Sequence, residues 1–309
     1  MKLFKISFSK IFQLITIVFS LVYTFNKFPI APLKVCLCTI GKLENLYIRE
    51  YIAHYKNYGI DKVYLYDNNE INDERFETVI NDYIRAGFVE IINFRGKLKP
   101  QLSAYQDCLN NNYKKYNWLL FYDMDEFIYL KNFTNIKNYL NQQIFKKCHS
   151  IQLNMFFYND NNLLFYDNRS LFQRFTKRIK RPKEALKSIV KGNAKFPVNC
   201  VHHVNKKLRS CNGFGKFNKK EKEVIYTKNP DFQFYYINHF CFKSTEEFVN
   251  KLNRGSAYYG KVDDYKMVKV GWYFDINEIT EKKISYIEKY TNLNLSKYKN
   301  IIANKTLYE

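Results

Sequence analysis

The residues of this chain best suited to chemistry close the stretch Trp118-Leu119-Leu120-Phe121-Tyr122-Asp123-Met124-Asp125-Glu126-Phe127, where an apolar run gives way to three carboxylates within four residues. The run reads as a buried strand of an α/β sheet. Asp123 and Asp125 then stand at its carboxyl end, where open α/β sheets bind their ligands. Like charges two residues apart repel unless a cation lies between them. A hard divalent ion with oxygen ligands, Mn2+ or Mg2+, is the usual solution and leaves positions open for the oxygens of a diphosphate. The plain alternative is that Asp-x-Asp-Glu merely starts a loop, and the surrounding elements have to decide between the two.

Those elements alternate. Leu33 to Thr39 reads as a first buried strand, Glu44 to Tyr58 as a helix with Leu46, Ile48, Ile52 and Tyr55 at helical spacing, and Gly59 as its stop. Lys62 to Tyr66 is a second strand ending in Asp67-Asn68-Asn69. Asn72 or Asp73 caps a helix to Arg85, Phe88 to Phe94 is a third strand, and a helix from Gln101 to Tyr113 leads into the acidic strand. Strands alternating with helices call for a mainly parallel, doubly wound sheet. Asp67, the segment after Phe94, and Asp123 then fall on one edge of it. Beyond Asp125 the pattern becomes mixed α+β: a helix from Asn135 to Lys147, a strand from Ser150 to Tyr158, a strand from Phe232 to Phe242, and a helix opened by Ser244 with Glu247 at capping-box spacing.

The chain has 309 residues, 46% of them hydrophobic, enough for a sizeable core. Lys and Arg number 50 against 29 Asp and Glu, a formal charge of +21. With 18% aromatic residues this raises the alternative of a basic nucleic-acid-binding protein. The lysines are scattered, however, and an acidic cleft behind an anchor argues against nucleic acid as a partner. Seven cysteines, Cys36, Cys38, Cys108, Cys148, Cys200, Cys211 and Cys241, are widely spaced without Cys-x-x-Cys, so neither a zinc site nor a disulfide framework is indicated, and an odd count leaves a free thiol. Residues 1–28 carry Lys2, Lys5 and Lys10 ahead of the apolar run Ile11 to Phe25, the pattern of a single-pass membrane anchor. An interfacial helix is its alternative. Residues 29–32, with Pro29 and Pro32, form a linker, 33–262 the main folded domain, and 263–309 a helical or irregular extension. Asn-x-Ser/Thr sites at Asn132, Asn168, Asn294 and Asn304 are compatible with a Golgi-type lumen in a eukaryote, while a bacterial cell envelope fits the same pattern.

Four blocks carry a likeness: Glu44-Asn45-Leu46-Tyr47-Ile48-Arg49-Glu50-Tyr51 with His54 and Gly59; Tyr64-Leu65-Tyr66-Asp67-Asn68; Gln101-x-x-Ala104-Tyr105-x-x-Cys108; and Trp118-x-x-Phe121-x-Asp123-x-Asp125-Glu126-Phe127. Together with Lys187-Ser188-Ile189-Val190, His202-His203, His239-Phe240, Lys243-Ser244-x-Glu246-Glu247-Phe248 and Arg254-Gly255, they resemble glycosyltransferase family 92 and related glycosyltransferase 2-like domains over roughly Leu33 to Tyr259. The resemblance implies a GT-A fold, a nucleotide-sugar donor of UDP-hexose type, galactose-like, a divalent metal, and a glycan, glycolipid or glycoprotein acceptor.

By that analogy Asp67 and Asn68 contact the donor nucleotide, with an Asx-turn as the alternative for Asp67. Gln101 and Tyr105 lie on the helix facing the nucleotide, and Lys243 and Arg254 neutralise the departing diphosphate. Asp123, Asp125 and His239 form the metal site, and one of His202 and His203 points into the cleft. The implied reaction inverts the anomeric carbon in one displacement and needs a base for the acceptor proton. Glu246, Glu247, Asp231, Asp160 and Glu184 are the candidates, and the sequence does not choose among them.

Overall fold

Strand β1 (Val35–Gly41) is buried along its whole length, as a strand covered by helices on both faces must be. In this computed structural model, which describes residues 32–180, 186–193, 195–202, 204–205, 207–221, 224–226, 232–257 and 263–306, it is the centre of a parallel half-sheet. Strands β2 (Lys62–Asp67), β3 (Val89–Asn93) and β4 (Trp118–Phe121) complete that half in the order β3-β2-β1-β4, every pair parallel. The crossovers are α1 (Ile48–Asn57), α2 (Glu77–Arg85) and α3 (Gln101–Asn112).

Helix α1 buries Ile48, Tyr51, Ile52 and Tyr55, an i, i+3, i+4, i+7 stripe. It begins four residues later than the sequence suggests. Glu44 is drawn into a buried ion pair instead, and Leu46 is exposed. Helix α2 likewise starts at Glu77 rather than at an Asn72 or Asp73 cap, because the Asp73 carboxylate accepts the backbone N–H of Glu70 and closes a turn there.

The second half is mixed, as expected, and holds several strands that the sequence reading lacked. The first of these is β5 (Glu126–Leu130), which the chain enters directly after Asp125. The helix expected over 135–147 is broken into α4 (Ile136–Leu140) and a 3-10 turn (Gln143–Phe145), since Gln142 between them adopts extended backbone. Then follow β6 (Ser150–Tyr158), α5 (Leu171–Arg174), β7 (Arg178–Lys180), β8 (Leu186–Lys191), β9 (Ser210–Cys211), a separate hairpin of β10 (Lys219–Glu221) and β11 (Val224–Tyr226), and β12 (Tyr235–His239). The sheet continues β4-β8-β6-β12-β5, antiparallel except between β6 and β12.

Two disulfides correct the reading of the cysteines: Cys38–Cys108 ties β1 to α3, and Cys148–Cys211 ties the approach to β6 to β9. The paired cysteines are 70 and 63 residues apart, so only the sheet brings them together and no local spacing could announce them. Cys36, Cys200 and Cys241 belong to neither disulfide.

The capping box of Ser244 and Glu247 opens α6 (Thr245–Arg254), and α7 (Asp263–Ile276), α8 (Glu281–Thr291) and α9 (Ser296–Thr306) follow. Phe242, Phe248, Tyr273, Phe274, Ile284, Ile287 and Leu295 form one core across these helices, so the segment beyond 262 packs with α6. Each such buried side chain contributes about 1.5 to 3 kcal/mol. Lys34 to Glu309 form one compact unit. Among the described residues no helix is long and apolar enough to cross a membrane; the expected anchor, residues 1–28, lies outside them, as do Glu184, His203 and Asp231.

Candidate functional site

Strand register builds the centre of the site. Antiparallel pairing of β5 with β12 sets Glu126 directly opposite His239, and directly opposed residues share one face of a sheet. The backbone N–H of Phe240 donates to the Asp125 carbonyl at 2.9 Å and extends that pairing toward the turn. One ligand atom from each of Asp125, Glu126 and His239 then lies within 4.8 Å of the others. Gly41, at the end of β1, underlies this turn. A Cβ there would stand 2.1 Å from the Met124 sulfur and 2.9 Å from the Phe76 ring, so the close approach requires glycine.

The residues fit a divalent cation. Glu126 Oε1 and His239 Nδ1 are buried with no hydrogen-bond partner, and an orphaned buried polar atom costs about 1 to 3 kcal/mol. Two carboxylates and an imidazole make a donor set suited to Mn2+ or Mg2+. Burial raises the pKa of Asp125, but Lys251 at 2.6 Å, His239 at 3.4 Å and Lys243 outweigh it and hold the carboxyl well below its ordinary range. Glu126 goes the other way: burial, with Asp123 and Asp125 adding to it, pushes its pKa well up despite Lys187. Burial also depresses His239. A cation is what would satisfy all three together.

Asp123 is differently placed. Gln101 Nε2 donates to its Oδ1 at 2.6 Å, the Tyr105 hydroxyl to the same oxygen at 2.7 Å, and Lys187 Nζ to Oδ2 at 2.8 Å. Lys187 also reaches Glu126 Oε2 at 3.3 Å, and that oxygen accepts the Asp123 backbone N–H at 2.9 Å. Of the expected metal set, Asp125 and His239 therefore come together and Glu126 joins them, while Asp123 already has both oxygens engaged. Gln101 and Tyr105 lie on α3, and both donate to Asp123.

Asp67, at the end of β2, is buried. Its Oδ1 accepts from the backbone and side chain of Asn69, which is the Asx-turn alternative, and its Oδ2 pairs with Arg95 at 2.5 Å. Asn68 donates to the carbonyls of Phe94 and Lys97 and binds the loops after β2 and β3 together. Lys243 and Arg254 converge on buried Glu44, at 3.2 and 2.6 Å, and the Lys243 ammonium sits 3.5 Å from the centre of the Tyr47 ring. Against the rise caused by burial, Arg254 and Lys243 keep the Glu44 carboxyl below its ordinary pKa.

Of the carboxylates weighed as bases, the three among the described residues are committed elsewhere. Glu247 caps α6 and takes both Arg174 guanidinium nitrogens, at 2.7 and 3.1 Å, as well as the Tyr47 hydroxyl. Glu246 accepts the backbone N–H of Tyr166 at 2.8 Å. Asp160 is buried between the Tyr273 hydroxyl at 2.5 Å and Lys283 at 2.7 Å.

Sequence reasoning missed roles for Glu126, Lys187, Lys251, Glu44 and Arg95. Lys187 had a signal, a lone charge inside the apolar strand Leu186–Val190, which must find a counter-charge if buried. Lys251 had none, because a lysine on an amphipathic helix is ordinary.

The sequence profile of glycosyltransferase family 92 matches residues 31–295. A glycosyltransferase family 92 protein of Ricinus communis is 25% identical over 239 residues, 74% of this chain and 39% of its own length. The galactan beta-1,4-galactosyltransferase GALS1 of Arabidopsis thaliana is 25% identical over 192 residues, covering 55% of this chain and 38% of its own. The chain thus spans about two fifths of the length of these curated relatives. Among solved structures, TarS residues 1–349 of S. aureus superpose with a TM-score of 0.37 at 12% identity, over 85% of this chain and 76% of that one. The profile covers the sheet, the acidic turn and the helices that flank them, and this chain belongs to glycosyltransferase family 92.

Proposed function

We propose that this protein transfers a hexosyl group, galactose-like, from a uridine diphosphate sugar to a hydroxyl of a glycan, glycolipid or glycoprotein acceptor, with inversion and with dependence on a divalent metal. The observation that carries the reading is the Asp125, Glu126 and His239 cluster, whose Glu126 Oε1 and His239 Nδ1 are buried and unpartnered at the ligand-binding edge of the sheet. Family membership supplies the reaction class, and the likeness to a galactan galactosyltransferase favours galactose.

Asp125, Glu126 and His239 would hold the ion, and a divalent cation there supplies a Lewis acid that draws charge from the leaving diphosphate. The chain's own cations surround that place. Lys251 lies against Asp125, Lys187 against Asp123 and Glu126, and Lys243 with Arg254 against Glu44. Each is fixed before substrate arrives, so the positive field on developing negative charge needs no reorganisation. Tyr105 and Gln101 keep Asp123, and through it Lys187, in register.

The reading extends to an enzyme anchored through residues 1–28 and facing an oxidising compartment, a Golgi-type lumen or a cell envelope. Two disulfides in the folded unit support that, because such bonds persist where thiols are not kept reduced. The test is a panel of nucleotide sugars incubated with the purified protein and Mn2+. Release of UDP from UDP-galactose, abolished by a chelator and restored by added metal, is the expected result; turnover indifferent to the chelator would end the metal-dependent mechanism.

A further inference from the structure

Among the described residues, the candidate bases Glu246, Glu247 and Asp160 are committed to structural bonds, so another described group is needed to take the acceptor proton. His202, in the loop after β8, has the required form. Two bonds to that strand fix it: Ser188 Oγ donates to the His202 carbonyl at 2.8 Å, and ring Nδ1 lies 3.2 Å from the Leu186 carbonyl. A carbonyl only accepts, so Nδ1 carries the hydrogen and Nε2 of the neutral ring keeps its lone pair. Nε2 has no hydrogen-bond partner among the described residues, and the residue is exposed, so a substrate hydroxyl can approach it. Its strand partner Leu186 precedes Lys187, whose ammonium bonds Asp123 and Glu126. Ser188, which holds the His202 carbonyl, is paired across β8 and β4 with Phe121, two residues before Asp123, so His202 sits at the sheet edge that carries the acidic turn.

We infer that His202 is the general base of the transfer, a role that rests on the glycosyl-transfer reading above. The acceptor hydroxyl oxygen forms its bond to the anomeric carbon as the bond from that carbon to the diphosphate oxygen breaks. The bonding pair leaves with the diphosphate, and the hydroxyl proton passes to His202 Nε2. The step needs no further reactant. An imidazole titrates at about pH 6.5, so the ring is mostly neutral and able to accept a proton at pH 7.

The test is His202→Ala in the full chain, assayed for transfer with and without exogenous imidazole, alongside UDP binding by calorimetry in Mn2+. Transfer should fall by about a hundredfold or more, UDP binding should stay within about twofold, and imidazole should restore several-fold of the lost rate, following the pH profile of free imidazole. His202→Glu should recover part of the rate, since a carboxylate can serve as base. Normal transfer by His202→Ala overturns the inference, as does a loss of rate that neither imidazole nor glutamate relieves. In both cases the wild type still turns over and the glycosyl-transfer reading stands. A wild type that binds no nucleotide sugar and releases no UDP removes that reading and this inference with it.

Discussion

Asp123 and Asp125 are two residues apart and sit in different surroundings. Each oxygen of Asp123 is met by a donor from the protein: Gln101 and Tyr105 from α3, Lys187 from β8. Asp125 belongs to a cluster in which Glu126 Oε1 and His239 Nδ1 are buried and unmet. The first arrangement is finished without a ligand and the second is not. Buried polar groups in native proteins are nearly always paired, so a local deficit of partners marks where something else binds. Satisfaction marks the frame that holds that place still. Repetition of one residue type in Asp-x-Asp thus hides a division of labour that only the partners reveal.

The largest expected effect breaks the finished side. Lys187 is fully buried between Asp123 and Glu126, and Lys187→Met leaves both carboxylates without their cation. Removing one member of a buried pair costs about 3 to 5 kcal/mol, so the urea midpoint of the metal-free protein should fall accordingly. Tyr105→Phe removes one of three donors to Asp123 and should cost about 1 kcal/mol by the same measurement. If the two substitutions prove equally mild, Asp123 is not the anchor that its bonds describe.

Next in size is the unfinished side. Asp125→Asn should lower transfer about a hundredfold, close to 3 kcal/mol of lost stabilisation, and abolish the rise in melting temperature that Mn2+ with UDP gives the wild type. Repulsion between neighbouring carboxylates suggests that this substitution would stabilise the metal-free protein. The bond from Lys251 reverses that expectation. The folded pKa of Asp125 is depressed, so its contribution is present above about pH 4, the unfolded value, and is lost as pH falls through the folded value. Metal-free Asp125→Asn should therefore melt lower than the wild type at pH 7, by about 1 to 2 kcal/mol, since Lys251 is about a third exposed and regains water. The two melting curves should converge in acid. A gap that stays constant down to acid pH would assign the loss to packing instead of charge.

The parallel half was legible because each strand there is a short apolar run between helices with a clear stripe; β1 and α1 announce themselves by burial pattern alone. The acidic turn and His239 were legible as types at the ends of strands. What could not be read was register. That Glu126 faces His239 depends on β5 pairing with β12 across more than a hundred residues of chain, and no element was expected over β5 itself. Lys251 and the disulfide partners suffer from the same limitation, since each contact closes over a long separation that no periodicity records.

The smallest expected effect tests whether the edge at Asp67 belongs with the finished or the unfinished side. By its bonds Asp67 is finished, with Asn69 on one oxygen and Arg95 on the other. Arg95 in turn holds the carbonyls of Glu70, Asp73 and Glu74, so the pair ties down the loop after β2. If Asp67 also contacts the nucleotide, Asp67→Ala should weaken UDP-sugar binding about tenfold, near 1.4 kcal/mol, with little change in turnover at saturation, because a contact remote from the reacting bond binds ground and transition states alike. If its work is only to hold Arg95, then Asp67→Ala and Arg95→Ala act through the same loop. Their double substitution should then cost no more than the larger single one, and coupling of that size is what a double-mutant cycle reads for residues in direct contact. Additive losses in donor affinity, with turnover preserved, would place Asp67 in the nucleotide pocket; a fully non-additive pair would return it to the frame beside Asp123.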